Sequence, residues 1–193
     1  MKTAIAERLY SCDEFDEIPN PDDGRKMELV DGRVVYSMTV GRDHGRLAML
    51  IGAWFVNFVR PRNLGEVYAE TGFRLRELPV RAGRVRGPDV SFVRASRLPP
   101  KLDTRRGSLR LAPDLAVEIL SPDEREDDLQ KKIEMYFEAG VPIVWVVRPD
   151  TETVEVLRLD GRRAEFRVGE TLTSADAGFE VEGFSLALAD LFE

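Results

Sequence analysis

The chain has 193 residues, 43% of them hydrophobic and 33% charged, as expected of a highly charged globular protein and not of a disordered one. A single cysteine and a single histidine exclude an internal disulfide and a structural zinc site built from these two residue types. Because no run approaches the roughly 20 apolar residues of a membrane span and no signal-peptide pattern is present, we expect a cytoplasmic protein without a membrane partner.

The net charge is −7, but the charges are unevenly distributed along the chain. Between Arg60 and Arg110 there are 13 basic and 5 acidic residues, and nearly all of the basic ones are arginines. Arginine makes forked contacts with phosphate, so this basic block could hold a nucleic-acid backbone. A block of like charge is also often only a solvated surface, and both interpretations remain open.

The length predicts a single domain over residues 1–193, with a lead-in over 1–25, a core over 26–150 and a C-terminal hairpin and tail over 151–193. In the lead-in, residues 11–15 predict a short helix. Asp31-Gly32 lies between two alternating runs and predicts a hairpin from Lys26 to Ser37, with Glu28 in its first strand.

Apolar residues at helical spacing predict a helix from Asp43 to Arg60, with His44 at the start of its apolar face. A second hairpin-like pair is predicted over residues 66–76. Residues 87–93 then predict a strand that is entered through a proline and has Asp89 at its beginning.

The second half of the chain contains two fully apolar strands, around Val117 and over residues 143–147, separated by a helix. The helix is predicted over residues 127–139, ending at Gly140, with a capping box over residues 121–124. Residues 154–168 predict an edge hairpin, and the apolar residues of the tail are expected to dock on the core.

The strand at residues 115–119 carries one carboxylate, Glu118, inside an otherwise apolar run. Burying an ionised carboxylate costs on the order of several kcal/mol unless a cation, a metal or hydrogen bonds compensate. Asp89 supplies a second acid from another strand. Paired carboxylates suit Mg²⁺, which uses one or two of them and keeps several waters.

A cation is expected near these acids, on the helix that follows Glu118. Lys131 lies on the acidic face of that helix and is predicted to be exposed. Lys132 follows Leu129 by three residues and precedes Tyr136 by four, which turns it toward the sheet. Asp128, four residues earlier, is its predicted partner.

These residues form a set of motifs spread over nearly the whole chain. They are Glu28-Leu29-Val30-Asp31-Gly32, His44, Pro88-Asp89, Val117-Glu118-Ile119-Leu120-Ser121-Pro122, Asp128, Lys132, Tyr136, Gly140-Val141-Pro142, Trp145 and Leu191-Phe192. Together they resemble the Uma-two family of endonucleases, which belongs to the PD-(D/E)XK nuclease superfamily. The superfamily's simplest pattern has a lysine two residues after the second acid, where this chain has Leu120. Lys132 is assigned that role by its position.

The resemblance implies an α/β fold with a restriction-endonuclease-like core, in which a mixed (α+β) central sheet is flanked by helices and carries extra β-hairpins. It also implies a metal-dependent endonuclease that hydrolyses phosphodiester bonds in DNA with Mg²⁺ or Mn²⁺. Asp89, Glu118 and the backbone carbonyl of Ile119 would hold the metal. Lys132 would orient or deprotonate the attacking water. The expected partner is nucleic acid, and a homodimer is a further expectation.

Four further residues have two interpretations each. Glu28 is either an additional acid at a metal-bound water or an ordinary exposed strand residue. His44 is either a phosphate ligand or proton carrier, or a helix cap or packed ring. Arg74 and Arg76 either contact a nucleic-acid backbone or keep a sheet edge soluble.

The alternative function is a catalytically silent module that uses the nuclease fold for binding or dimerisation. A fold does not determine a function, and a net charge of −7 is unusual for an enzyme that binds DNA.

Overall fold

The structure is a computed structural model that describes residues 8–37, 41–99, 107–122 and 124–193. The helices in these ranges are α1 Cys12–Asp16, α2 Arg42–Val59, α3 Glu126–Glu138, α4 Ser174–Ala177 and α5 Ala189–Phe192. The strands are β1 Lys26–Val30, β2 Arg33–Ser37, β3 Gly65–Ala69, β4 Phe73–Arg76, β5 Arg84–Arg86, β6 Val90–Arg94, β7 Leu115–Ile119, β8 Ile143–Arg148, β9 Thr153–Arg158, β10 Arg163–Arg167, β11 Thr171–Thr173 and β12 Ser185–Ala187. None of the helices in the described ranges is long and apolar enough to cross a membrane.

A six-stranded mixed sheet in the order β10-β9-β8-β7-β6-β3 forms the centre of the molecule. β7 and β8 are parallel, and α3 makes the crossover between them. The other neighbouring pairs in this sheet are antiparallel. β7 and β8 read as continuous apolar runs because both of their faces are covered.

A second, four-stranded sheet has the order β2-β1-β5-β4. Its β1–β2 hairpin confirms the turn predicted at Asp31-Gly32, where both residues have positive φ angles of 48° and 80°. The hairpin predicted over residues 66–76 is wrong. β3 pairs with β6 of the large sheet and β4 pairs with β5 of the small sheet, because Glu70, at a φ of 47°, ends β3 and the chain changes sheets there.

The two faces of the large sheet are covered by different elements. α2 packs on one face against Val117 and Trp145, together with the C-terminal tail. α3 packs on the other face against Ala116 and Val144. The predicted docking of the tail is confirmed, since Phe184, Leu186, Leu188 and Leu191 are buried in the first of these cores.

The bounds of α3 agree with the prediction to within one residue at each end, but the predicted capping box is wrong. The helix begins at Glu126, with Arg125 as an N-cap that makes no side-chain hydrogen bond, so the predicted capping box does not form. The side chain of Glu124 instead pairs with Lys132, which makes it unavailable as a cap. At the other end, Gly140 has a φ of 79°, the left-handed conformation that glycine adopts after a helix.

Candidate active site

Asp89 and Glu118 lie side by side on neighbouring strands. β6 and β7 are antiparallel, with Val90 opposite Val117, and the amide N–H of Asp89, one residue before β6, donates to the carbonyl of Val117 at 3.0 Å. Besides burial, the negative charge of Asp89 raises the pKa of Glu118, as expected of two acids close together. Both residues are buried, with relative exposures of 6% and 3%. The structure therefore brings together the two acids that the sequence singled out.

Asp89 takes the place of a strand partner for β7. β6 begins only at Val90, and the amide N–H of Ile119 donates to Oδ2 of Asp89 at 2.7 Å. Nε2 of His44 lies 3.1 Å from the same oxygen. Nζ of Lys26 lies 3.6 Å from Oδ1. Three elements of the fold thus converge on one carboxylate.

These contacts keep Asp89 ionised. Burial by itself raises the pKa of Asp89, but the hydrogen bond from His44, the charge of Lys26 and the Ile119 amide together hold it below its ordinary value. An ionised carboxylate only accepts hydrogen bonds, so Nε2 of His44 donates to Asp89. Nδ1 of His44 is buried and has no hydrogen-bond partner among the described residues.

Glu118 points to the α3 side of the sheet, where two residues of that helix reach it. Nζ of Lys132 lies 3.2 Å from Oε2, and the hydroxyl of Tyr136 donates to Oε1 at 2.5 Å. Burial raises the pKa of Glu118, and the charge of Lys132 opposes that shift without cancelling it. The spacing of four residues on α3 puts both partners on the face turned toward β7.

Lys132 lies where the helical spacing predicted it. It pairs with Glu118 and, at 2.9 Å, with Glu124. The predicted pairing with Asp128 is wrong, since Asp128 is exposed and pairs with Lys131 at 3.1 Å. Asp128 therefore lies on the exposed side of α3, away from Glu118.

Glu28 is neither an exposed strand residue nor a free acid. Its carboxylate accepts from Nη1 of Arg86 at 2.7 Å and from the amide N–H of Gly87 at 2.9 Å, and both side chains are buried. Burial raises the pKa of Glu28, but Arg86, Lys26 and Lys132 outweigh it and hold the pKa below its ordinary value. Contact with a metal-bound water stays a prediction.

Two residues that belong to the site were not assigned a role from the sequence. Lys26 precedes Glu28 by two positions on β1, and the two-residue period of a strand would have placed it on the same face. Tyr136 follows Lys132 by four positions on α3 and would have been placed beside it by helical spacing. The spacing related Lys26 to Glu28 and Tyr136 to Lys132, but the sequence did not show that Glu28 and Lys132 themselves lie at one site.

Seven of the thirteen basic residues of the basic block form ion pairs with acids of the same chain. Its ion pairs are Arg74 with Asp13, Asp16 and Glu77; Arg76 and Arg84 with Asp31; Arg84 with Glu138; Arg86 with Glu28; Arg94 and Arg97 with Asp114; and Arg110 with Asp13. Most of the acids lie outside the block in sequence. Arg60 and Arg62, in contrast, are exposed and form no ion pair within the described part of the chain.

Arg74 and Arg76 are among these paired residues. Nε, Nη1 and Nη2 of Arg74 contact Ser108, Glu77 and Asp16, and its side chain is buried. Arg76 donates to Asp31 and to the carbonyl of Ala82. Their predicted contact with a nucleic-acid backbone gains no support from these positions, because the donors are already used.

The donor set suits a small divalent cation. Oδ1 of Asp89 accepts no hydrogen bond among the described residues, and a carboxylate such as Glu118 has about four lone-pair positions, of which Lys132 and Tyr136 use two. No group of three acids, histidines or cysteines in the described ranges is arranged to hold a metal. Two carboxylates with the remaining positions left to water or substrate match Mg²⁺ or Mn²⁺ chemistry. The Ile119 peptide lies at this site, and its carbonyl stays a predicted ligand.

The model of a family described as "Uma2: Putative restriction endonuclease" matches residues 12–189, which is most of the chain and includes all of these site residues. The chain belongs to the Uma-two family. The resemblance in the sequence motifs is thereby confirmed, and membership of this family supports a nuclease.

A solved structure shows the same fold as this Uma-two protein. It is the crystal structure of "a putative nuclease belonging to DUF820" from Anabaena variabilis ATCC 29413, which is similar over 94% of this chain and 97% of that chain. The TM-score is 0.75 and the sequence identity is 23%. The predicted fold class, a central mixed sheet flanked by helices, is confirmed. A comparison with curated proteins gives no match.

Proposed function

We propose that this Uma-two protein is a divalent-metal-dependent endonuclease that hydrolyses phosphodiester bonds in DNA. The observation that carries the proposal is the pair of buried carboxylates, Asp89 and Glu118, placed side by side between Lys26 and Lys132. Two adjacent buried acids repel each other and are costly to keep for stability alone. Such arrangements are typical of functional sites.

The charges around this pair support a metal and a phosphate. The carboxylates are Glu28, Asp89, Glu118 and Glu124, and the cations in contact with them are Lys26, Arg86 and Lys132. With all of them ionised, the cluster carries one net negative charge. A divalent cation would make it positive by one, and a phosphodiester would then neutralise it.

Asp89, Glu118 and the carbonyl of Ile119 would hold Mg²⁺ or Mn²⁺, which when bound polarises a phosphoryl oxygen and makes the attacking water more acidic. His44 and the Ile119 amide orient Asp89 by donating to the same oxygen. Tyr136 and Lys132 orient Glu118 by donating to its two different oxygens, Oε1 and Oε2. Groups that fix the ligands of a metal commonly change metal affinity or activity about 10- to 100-fold when removed.

Lys132 acts through its charge. Burial lowers the pKa of Lys132, but Glu118, Glu28 and Glu124 outweigh it and raise the pKa above its ordinary value. Lys132 is therefore protonated at neutral pH and has no free electron pair to accept a proton. Of the two roles that the resemblance implies, these charges favour orienting the water and stabilising the negative charge on phosphate.

In the proposed reaction, the oxygen of water forms a bond to phosphorus, one P–O ester bond breaks, and the leaving oxygen takes a proton. The water loses its proton to solvent. The paired arginines of the basic block would contribute little to this reaction, because acids of the same chain already balance their charges.

The test is nicking of supercoiled plasmid in Mg²⁺ and in Mn²⁺, with EDTA as the metal-free control. Wild type is compared with Glu118→Gln and Asp89→Asn, and with Glu134→Gln, an exposed acid on α3, as the matched control. We expect wild type and Glu134→Gln to cut only with metal, and the two site variants to be inactive. If wild type and the three variants cut the plasmid equally, Asp89 and Glu118 are not the catalytic acids of a nuclease. Metal binding without cutting by wild type would favour the catalytically silent module.

A further inference from the structure

Lys26 is the cation at the centre of the carboxylate cluster. It extends from β1, on the same face of the strand as Glu28, and its ammonium lies 3.6 Å from Oδ1 of Asp89. The charges of Glu28, Asp89 and Glu118 all act on it. No sequence motif assigned it a role.

The contacts of Lys26 are looser than those of Lys132. Lys132 is held by two carboxylates at hydrogen-bond length, 3.2 Å from Glu118 and 2.9 Å from Glu124. Lys26 has an ion pair with Asp89 beyond hydrogen-bond length, and its Nζ donates no hydrogen bond within the described part of the chain. An ammonium group has three donors. Those of Lys26 make no hydrogen bond to any described residue and can therefore serve another acceptor.

Lys26 also faces an opening to solvent. A cavity of about 460 Å³ lies beside the site and is lined by Lys26, Glu70, Thr71 and Gly87. The Lys26 side chain is 21% exposed, compared with 8% for the side chain of Asp89. Lys132 is exposed to a similar extent, 19%, but of the two lysines only Lys26 lines this cavity, so a solute in the cavity would contact Lys26.

Gly87 leaves room for the Lys26 side chain to reach Asp89. A Cβ atom at position 87 would lie 3.2 Å from Cε of Lys26 and 3.3 Å from the carbonyl oxygen of Glu70. Such distances are tighter than ordinary van der Waals contact. A side chain at this position would have to move either the lysine stem or the backbone.

We propose that Lys26 is a second cation for the scissile phosphate: it contacts a non-bridging phosphate oxygen from the cavity side, while Lys132 acts from the side of Glu118 and the attacking water. The proposal rests on the proposed function and deepens it. When a divalent cation neutralises Asp89, the Lys26 ammonium loses the ion pair that it forms with this residue, while the charges of Glu28 and Glu118 still act on it. The anionic phosphate then supplies a new one at hydrogen-bond length.

The experiment separates phosphate binding from metal binding. A fluorescein-labelled oligonucleotide is titrated with wild type, Lys26→Gln, Lys26→Arg and Lys131→Gln in Ca²⁺, and Mn²⁺-induced thermal stabilisation is measured without oligonucleotide. Lys131 is the matched control, since it is exposed and pairs only with Asp128 in the described structure. We expect Lys26→Gln to lose at least about tenfold in oligonucleotide affinity, the effect of one charged hydrogen bond. Its response to Mn²⁺ should be retained.

The conservative variant and the wild-type protein give two further measurements. Lys26→Arg keeps the charge and should recover most of the affinity. In wild type, the oligonucleotide should protect Lys26, and not Lys131, from acetylation by an N-hydroxysuccinimide ester, as read by mass spectrometry. This measurement does not depend on any variant being folded.

Equal affinity of Lys26→Gln and wild type, or no protection of Lys26, would overturn the role of Lys26 while leaving the nuclease assignment standing. If wild type neither binds nor cuts the oligonucleotide, the proposed function fails, and the role of Lys26 fails with it. The two failures are distinguished by the behaviour of wild type alone.

Discussion

Tyr136 donates its hydroxyl hydrogen to Oε1 of Glu118 at 2.5 Å, across the boundary between α3 and the central sheet. Both side chains are buried. Burial raises the pKa of Tyr136, and the negative charge of Glu118 raises it further, so the hydroxyl keeps its proton and acts only as a donor to this acid. The orientation of Glu118 thus depends on a residue 18 positions away in sequence.

Tyr136→Phe should weaken the site without removing any charge. We expect a loss of about 1–3 kcal/mol in unfolding free energy, because a buried acceptor loses its donor, and a loss of about 10- to 100-fold in metal affinity or cleavage rate. Chemical denaturation and plasmid nicking measure the two effects. Tyr36→Phe, at an exposed position on β2, is the control and should behave as wild type. If both variants cut equally, Tyr136 does not position Glu118.

Lys132→Met and Lys131→Met should differ sharply although the residues are adjacent. Lys132 contacts the buried Glu118, whereas Lys131 contacts only exposed Asp128 among the described residues. We expect the cleavage rate of Lys132→Met to fall about 10- to 100-fold. Lys131→Met should cleave as wild type does, and its unfolding free energy should change by less than about 0.5 kcal/mol. Cleavage assays and thermal unfolding provide the comparison. Equal loss in both would show that the helical face has been assigned incorrectly.

Glu28→Gln should destabilise the fold. It leaves Arg86 buried without its counter-charge, and breaking a buried pair in this way costs about 3–5 kcal/mol. Chemical denaturation at pH 7 measures the loss. Glu134→Gln, exposed on α3, is the control and should change little. If Glu28→Gln has the same unfolding free energy as wild type, the ion pair between Glu28 and Arg86 contributes nothing to stability.

The same pair predicts a dependence of stability on pH. The pKa of Glu28 is lower in the folded protein than its ordinary value. The ionised Glu28 therefore contributes its full share of the unfolding free energy above the unfolded-state pKa of about 4.3, and this share is lost as the pH falls through the folded-state pKa. In metal-free buffer, the unfolding free energy of wild type should therefore fall below pH about 4.3. In Glu28→Gln this fall should be smaller. An identical slope in both proteins would contradict the assignment.

Phe179→Ala should test whether the tail is part of the central core. Phe179 lies 5.6 Å from Phe55, 5.1 Å from Phe92 and 5.1 Å from Phe184 between ring centroids. Removing a buried phenylalanine costs about 3–5 kcal/mol. Val181→Ala, at a nearby exposed position, should cost less than about 0.5 kcal/mol. Chemical denaturation measures both unfolding free energies. A small loss of unfolding free energy in Phe179→Ala would mean that the tail folds apart from the core.

The sequence determined the elements whose patterns are local. The Asp-Gly hairpin, the apolar strands β7 and β8, the edge hairpin and the helix that ends before Gly140 all follow from periodicity and turn chemistry within about 20 residues. The choice of Lys132 over Lys131 follows from helical spacing in the same way. The acid in β7 was identifiable because a carboxylate in an apolar run is costly.

The tertiary structure alone decided which charges meet. Lys26 and Asp89 are far apart in the chain, as are the arginines of the basic block and most of the acids that neutralise them. Local periodicity shows which face a side chain occupies, but the partner of that face depends on how β1, β5 and β7 assemble. An ion pair has no periodic signature in sequence. The sequence by itself therefore determined the two acids and the lysine on α3, while the fold decided the partners of Glu28, the neutralisation of the arginines and the position of Lys26.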